Sequence, residues 1–282
     1  MIAFRPMARE DIPSALVLCR HANWNQVSWD WDTFLRINER GCRIAQDETG
    51  IIVGTFTTVT YENRFSWIGM VLVHPLFRRQ GIGTQLLIEA LSLLPDTITA
   101  KLDATPAGRD VYLKLNFTDE YNLIRMQRAS HFVCKTDPSA SRPMKDEDFA
   151  RVMELDREVF GADRSFVLKR NFESAPQYAF VTEKGREITG FTLGRRGHYF
   201  DQIGPIIAEN MEVATQLLHG ILGRVTGKEL IIDALEHTPE WIDFLSLQGF
   251  HSARPLIRMF RGSNSFPGHP ERQFAILGPE FG

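Results

Sequence analysis

The chain has 282 residues, 32 basic against 35 acidic side chains, and 43% hydrophobic residues. This length corresponds to one large domain or two small ones, and the composition excludes a disordered or fibrous chain. A near-neutral chain without a basic run is not typical of nucleic-acid-binding proteins, so we expect no nucleic-acid partner. The charged first ten residues do not resemble a signal peptide, and no apolar stretch approaches the roughly 20 residues that span a bilayer, so we expect no membrane partner.

The three cysteines, Cys19, Cys42 and Cys134, are widely spaced and form no CxxC pair. An odd number of dispersed cysteines predicts neither a disulfide framework nor a zinc site. Cysteines used in this way are typical of a reducing compartment. We therefore expect a cytoplasmic protein without a metal centre.

Apolar periodicity and turn residues predict the elements of the first half in the order ααβββαβαβ. A strand meander thus precedes a strand–helix–strand unit, which predicts an α+β (α/β) fold with a mixed central sheet flanked by helices. The predicted helices and strands, in chain order, cover residues 10–23, 31–38, 42–46, 51–61, 66–73, 83–94, 97–104, 109–115 and 121–127.

Short segments of the first half recur in the same order in the second half. RPMARED at 5–11 returns as RPMKDED at 142–148, and TQLL at 84–87 returns unchanged at 215–218. Ordered matches of this kind predict a tandem duplication, with chance similarity between two α/β halves as the alternative. We expect one domain at residues 1–135 and a second at 136–282, joined near the polar segment 135–141. The second includes the apolar segment FAILGPEFG at 274–282, which we expect to dock on the body of the protein. Further matching pairs are Gly54 with Gly190, Gly69 with Gly204, Asp103 with Asp233, Phe117 with Phe250, and Arg125 with Arg258.

The loop between the third predicted strand and the next helix has the composition of an anion-binding site. Gly81 and Gly83 let the backbone turn tightly beside a ligand, and the N–H groups that open the helix lack internal partners. Together with the helix dipole and with Arg78 and Arg79, they favour a phosphate or pyrophosphate. The loop is neither a Walker A loop nor a Rossmann fingerprint, because GK[ST] and GxGxxG are both absent. A structural glycine turn is the alternative.

The wider pattern of this loop resembles the acetyl-CoA signature of the GNAT N-acetyltransferases. The residues that carry the resemblance are Val73, Pro75, Phe77, Arg78, Gly81, Gly83 and Leu86. Residues 104–117 resemble the second signature of that family, with Tyr112 five residues before Phe117. Thr105 stands where the family often has Asn, and Asn116 stands where it usually has Gly; Asn also adopts left-handed conformations. The second half lacks the glycine pair and has Leu245 in place of Tyr112, so it resembles the same fold without the cofactor loop.

The resemblance implies two tandem GNAT domains, of which the first binds acetyl-CoA between splayed strands at 69–73 and 99–104. It implies transfer of an acetyl group to the amine of a small metabolite or amino-acid-like acceptor. A non-catalytic acyl-CoA-binding protein and a protein or peptide N-acetyltransferase are the alternatives. The cofactor-binding residues implied are Met70, Val71, Val73, Arg78, Arg79, Gln80, Gly81, Ile82, Gly83, Thr84, Thr105 and Tyr112.

Two residues are candidates for catalysis. A phenol with a pKa near 10 starts protonated, so Tyr112 is the candidate proton donor, with a packed tyrosine as the alternative. Asp103 is a candidate base. Because Asp233 stands at the matching position of the other half, a structural role for the Asp103 carboxylate is an equal alternative. Other candidate bases are Glu62, His74, Glu120 or a water chain. Trp24, Trp29 and Trp31 are candidates for an acceptor pocket or for core packing.

Because a duplicated chain can act as its own pseudo-dimer, we expect either a monomer or a homodimer.

Overall fold

The structure is a computed structural model that describes residues 2–132, 137–236 and 238–282. In the first half, the predicted order of elements is confirmed and is preceded by one additional strand, β1. This strand has four residues, ends at a proline and lies at the sheet edge, so it is too short for a period-2 pattern to reveal. The elements are β1 (Ala3–Pro6), α1 (Ile12–His21), α2 (Ser28–Asn38), β2 (Cys42–Gln46), β3 (Ile52–Tyr61), β4 (Phe65–Val73), α3 (Ile82–Ser92), β5 (Thr99–Ala104), α4 (Pro106–Lys114) and β6 (Thr118–Arg128).

The second half repeats this order and adds a strand at its end. That strand, β13, has no counterpart among the described residues of the first half. The elements are β7 (Arg142–Pro143), α5 (Phe149–Phe160), α6 (Ser165–Ser174), β8 (Phe180–Lys184), β9 (Glu187–Arg195), β10 (Asp201–Ala208), α7 (Met211–Leu222), β11 (Leu230–Leu235), α8 (Pro239–Leu247), β12 (Phe250–Arg261) and β13 (Gln273–Ala275).

The repeated segments at 5–11 and 142–148 have the same physical role. Arg5 donates to both carboxylate oxygens of Asp11, and Arg142 donates to both oxygens of Asp148, all at 2.7–2.8 Å. The two aspartates also accept from the backbone N–H groups of Ala8 and Lys145, at 2.7 and 2.8 Å. Each aspartate therefore satisfies an N–H group just before the first helix of its half, which explains why the pattern occurs twice.

The described strands form a single sheet in the order β1-β2-β3-β4-β5-β12-β6-β11-β13-β10-β9-β8-β7. β4 pairs in parallel with β5, and β10 pairs in parallel with β11, whereas the other neighbours are antiparallel. The mixed sheet flanked by helices confirms the predicted fold class.

The last strands of the two sequence halves are exchanged within this sheet. β12 lies between β5 and β6, and β6 pairs on its other side with β11. Each half therefore completes its sheet with a strand from the other half. Helices α1, α2, α5 and α6 also share one apolar core, so the halves are joined through both the sheet and the helices.

Cys19 and Cys42 are free thiols in this core, and burial raises the pKa of each to about 12. Cys134 and the beginning of the linker predicted at 135–141 lie outside the described residues. Within the residues that the structure describes, no helix is long and apolar enough to cross a membrane.

Candidate active site

The parallel strands β4 and β5 separate partway along their length. Their pairing runs from Phe65 opposite Thr99 to Trp67 opposite Lys101, and beyond this point the strands splay. A bulge in β4 lies just beyond this point, with Met70 at a φ of 53° and its carbonyl oxygen accepting from Thr55 Oγ1 at 2.8 Å. A bulge bends its strand and leaves a residue outside the ladder, so β4 turns away from β5 here. The result is an opening through the sheet between the two strands.

A groove of about 540 Å³ leads from the loop before α3 toward this opening. Gly81 precedes α3 in a left-handed conformation, with a φ of 80°, and no side chain caps the helix. The first N–H groups of an 11-residue helix are therefore left free to bind a ligand. Arg78 and Arg79 are exposed in this loop, and Arg78 Nε donates to the carbonyl oxygen of Val73 at 3.1 Å.

Most of the predicted cofactor residues line this groove. They are Val71, Val73, Arg78, Arg79, Gly81, Gly83, Thr84 and Tyr112. Gln80 is exposed, and its side-chain amide donates to the carbonyl oxygen of Leu76 at 3.3 Å. The side chain of Ile82 is buried in the core under α3, so this residue can offer a ligand only its backbone.

A second cavity, of about 200 Å³, lies on the inner side of the opening. It shares Val71, Gly108 and Tyr112 with the groove, so the two spaces meet at these residues. Met70 and Thr105 line the cavity rather than the groove, and Thr105 Oγ1 caps α4 by accepting from the N–H of Gly108 at 3.3 Å. A groove with an anion site at one end and a small cavity at the other suits a long phosphate-bearing ligand that delivers its far end to a small acceptor.

Tyr112 lies where the groove and the cavity meet. A Cβ at Gly108 would lie 3.0 Å from its ring, so the glycine makes room for the tyrosine. Burial raises the pKa of the Tyr112 phenol to about 12, and no described residue bonds its hydroxyl. The phenol is therefore protonated at neutral pH and free to donate. The neighbouring Asn116 has a φ of 63°, the left-handed conformation expected of a residue that stands in place of glycine.

Asp103 also lines the cavity, but its carboxylate is fully engaged. Arg258 donates to both of its oxygens at 2.9 Å, and the side chain of Asp103 is completely buried. The matching Asp233 is bound in the same way by Arg125, at 2.7 Å for both oxygens. These reciprocal pairs join each half to the exchanged strand of the other, and the geometry favours the structural alternative for Asp103.

The other candidate bases lie away from the cavity. Glu62 pairs with Arg157 at 2.6 Å, and Glu120 pairs with Lys101 at 3.4 Å. His74 accepts from the N–H of Leu76 at 3.3 Å, and burial lowers its pKa. Of the three tryptophans, Trp24 lines the cavity, Trp31 is fully buried in the core, and Trp29 is partly exposed with Arg170 over its ring at 3.9 Å.

Six polar residues that line the cavity in the described part of the chain were not among the predicted site residues. They are Asn25, Gln26, Arg125, Arg195, Arg254 and Glu280. Glu280 lies in the last nine residues, 274–282, which are mostly buried; Arg195 donates to its Oε1 at 2.5 Å. Residues 274–282 read FAILGPEFG, and this apolar composition was the reason to expect that the segment docks on the body; it did not indicate a role for the side chain of Glu280.

The repeated glycines Gly69 and Gly204 let these last residues pass close to the sheet. A Cβ at Gly69 would lie 2.7 Å from the carbonyl oxygen of Glu280, and one at Gly204 would lie 2.1 Å from that of Ile276. Trp67 Nε1 donates to the carbonyl oxygen of Pro279, and the Tyr61 hydroxyl donates to that of Phe281, both at 2.9 Å. Both halves thus hold this segment, which brings Glu280 beside the opening.

Comparisons with known proteins agree with this geometry. Residues 38–119 and 152–275 each match a family model described as an acetyltransferase (GNAT) domain. The chain is 23% identical over 244 residues, 86% of its length and 85% of the relative's, to an uncharacterized N-acetyltransferase, YitH, of Bacillus subtilis.

Two solved structures show the same architecture over nearly the whole chain. The crystal structure of a putative acetyltransferase from Pyrococcus horikoshii has a TM-score of 0.82 at 23% identity, covering 100% of this chain and 96% of that one. A tandem GNAT protein from the clavulanic acid biosynthesis pathway has a TM-score of 0.65 at 15% identity, covering 94% and 100%. The predicted tandem arrangement is therefore confirmed.

Proposed function

We propose that this chain, which belongs to the GNAT acetyltransferase family and carries two GNAT domains, transfers an acetyl group from acetyl-CoA to the amine of a small acceptor. Membership of the family makes it an acyltransferase; the acceptor and the division of labour are our proposal. The first half would hold acetyl-CoA, and the second half would complete the acceptor cavity. The observation that carries the proposal is the meeting of the groove and the cavity at Tyr112, between splayed strands.

The residues present fit acetyl-CoA. The uncapped start of α3, with Gly81 before it and Arg78 and Arg79 beside it, offers N–H groups and positive charge to a pyrophosphate. The splayed edge of β4 offers the backbone of Met70 and Val71 to an extended ligand arm. Acetyl-CoA supplies an acetyl group activated as a thioester.

The amine must be neutral to attack the thioester carbonyl, so a nearby group should accept its proton. Asp103 and Glu280 are the carboxylates among the described residues that line the cavity. Both oxygens of Asp103 are bound by Arg258, whereas Glu280 Oε2 has no hydrogen-bond partner among the described residues. We therefore assign proton acceptance to Glu280 rather than to Asp103.

In the transfer step, the C–N bond forms as the C–S bond breaks, and the departing sulfur gains negative charge. Tyr112 can donate its proton to that sulfur because its phenol is protonated and unpaired at the junction of groove and cavity. A backbone N–H near the bulge at Met70 can stabilise the carbonyl oxygen as it becomes negative.

The test combines calorimetric titration with acetyl-CoA and an assay of free thiol release over a panel of small amines. We expect saturable binding and thiol release that depends on the amine. Failure to bind acetyl-CoA at millimolar concentration would overturn the proposal. Binding without any amine-dependent release would instead indicate a non-catalytic acyl-CoA-binding protein, and acetylation of proteins in a lysate but of no free amine would indicate a protein acetyltransferase.

A further inference from the structure

Arg254 is a cation without an anionic partner in the acceptor cavity. It lies on β12 and lines the cavity, and no described carboxylate pairs with it. Its Nε is buried and has no hydrogen-bond partner among the described residues. Burial and the nearby charge of Arg125 lower the pKa of Arg254 to about 10, so it is still charged at neutral pH. The side chain is half-buried overall, and a charge that is partly removed from water is costly unless something compensates it.

The neighbouring carboxylates are already bound by other arginines. Asp233 accepts from Arg125 through both oxygens, and Glu280 accepts from Arg195. Arg254 also lies directly opposite Arg125 in the antiparallel pairing of β12 with β6. Like charges in facing positions of two strands destabilise a sheet, which adds to the cost of leaving Arg254 unpaired.

Two other residues of the same cavity carry buried polar atoms without partners. They are Arg195, through Nε, and Gln26, through Oε1. Together with Arg254 they place two donors and one acceptor, without partners among the described residues, in the wall of this cavity of about 200 Å³. Buried polar groups normally have partners, so the wall of this cavity is polar and under-satisfied, which favours a polar ligand over an apolar one.

We infer that the acceptor is a small amine that also carries a carboxylate, as an amino acid does, and that Arg254 binds this carboxylate. This inference rests on the acetyl transfer proposed above. Arg254 contributes a planar fork of donors that matches a carboxylate, and its charge is neutralised when the acceptor binds. Gln26 and Glu280 are then left for the amine end of the same molecule. An amine without an anionic group would cover Arg254 further without giving its charge a partner.

The experiment compares each of the common L-amino acids with its α-carboxamide, at fixed acetyl-CoA, by amine-dependent thiol release. The carboxamide group makes the amine less basic, so a preference for the carboxylate cannot come from a larger fraction of free amine. We expect kcat/KM to be roughly 10- to 100-fold higher for the accepted carboxylates, the range for losing a hydrogen bond to a charged group. Arg254→Gln should abolish this preference, and Arg254→Lys should retain part of it. The matched control is Arg261→Gln, an exposed arginine on the same strand, which should leave the preference unchanged.

The outcomes separate the two proposals. Amine-dependent thiol release with no preference for carboxylates would overturn this inference and leave acetyl transfer intact. The inference would also be overturned, and acetyl transfer left intact, if Arg254→Gln lowered kcat/KM by the same factor for each amino acid and its carboxamide while acetyl-CoA still bound. If Arg254→Gln does not fold, the wild-type comparison and Arg254→Lys decide the question. Absence of thiol release with every amine would overturn acetyl transfer and this inference together.

Discussion

The two halves of the chain have the same pair of splayed parallel strands, but among the described strands only the opening of the first half is free. In the first half, β4 and β5 separate beyond Trp67 and Lys101, and a groove and a cavity meet between them. In the second half, β10 and β11 pair in parallel as far as Ile203 and Ile232. There β13 occupies the place beyond the last parallel pair, antiparallel to both strands.

The N-termini of the helices that follow β4 and β10 also differ, and again the first half leaves open what the second half closes. Gly81 leaves the N–H groups of α3 without a cap, beside Arg78 and Arg79. Asn210 caps α7 by accepting from the N–H of Val213 at 3.0 Å, and Glu209 precedes it. A capped helix next to a carboxylate has little to offer a phosphate. The same fold thus provides a ligand site in the first half, where backbone N–H groups at the start of the helix are left unpaired. In the second half, the protein's own side chain binds these groups, and the unit is structural.

The largest effect should come from adding a charge to the open half. Gly81→Glu places a carboxylate at the proposed pyrophosphate site and strains a residue with a φ of 80°. Like-charge contact costs several kcal/mol, so we expect acetyl-CoA affinity to fall at least roughly 100-fold in calorimetric titration. The wild type should bind one acetyl-CoA per chain, because β13 closes the second opening.

The matched control for this variant is Gly185→Glu. Gly185 also has a positive φ, 68°, and open space around its Cβ position, but it lies in the turn between β8 and β9. It introduces the same charge and a similar strain, so unchanged affinity is expected. A stoichiometry of two, or equal losses in both variants, would contradict the distinction between the halves.

The reciprocal ion pairs predict a symmetric loss of stability. Removing one partner of a buried pair costs about 3–5 kcal/mol, so Asp103→Asn and Asp233→Asn should lower the free energy of unfolding by similar amounts. Denaturant titration of both variants measures this. If Asp103 is the base, Asp103→Asn should instead lose far more turnover than Asp233→Asn, when both variants are assayed under conditions in which they are folded.

Tyr112→Phe should lower kcat about 100-fold and leave acetyl-CoA affinity unchanged, as expected for removal of a general acid. Tyr199→Phe, which removes the hydroxyl of a tyrosine that is 47% exposed, is the control. An acid works only while protonated, and burial raises the pKa of Tyr112 to about 12. The wild-type rate should therefore not fall on the alkaline side until the pH approaches that value. Turnover unaffected by the change to Phe would assign Tyr112 to packing.

The smallest effect concerns the last nine residues, which contain Glu280. Glu280→Gln should lower kcat about tenfold at neutral pH, a modest loss for a base because free amine is already present in solution. The loss should shrink as the pH rises and the amine deprotonates without help. Asp30→Asn is the control, because it removes the other carboxylate that pairs with Arg195 without altering the cavity lining. A loss that is the same at every pH, or equal in both variants, would assign Glu280 to structure.

Structural features that depend on neighbouring residues could be predicted from the sequence. The strand at 42–46 was predicted with the bounds that the structure has, and α1 to α4 with bounds within a few residues. The loop at Arg78–Arg79 and the left-handed conformation of Asn116 could also be predicted, because the conformation of a turn depends on residues that are neighbours in the chain. The role of Asp103 was left open, since its partner Arg258 is 155 positions away.

By itself, the sequence determined the duplication, the order of elements in each half, and which half could present free N–H groups to an anion. These properties depend on periodicity, on glycines and on side chains within a few residues of one another. The tertiary structure alone decided that β6 and β12 are exchanged, that β13 closes the second opening, and that Arg254 and Glu280 meet in one cavity. Such contacts depend on which strands become neighbours in the sheet, and pairing between distant strands is specified by packing and burial over the whole molecule rather than by any local pattern.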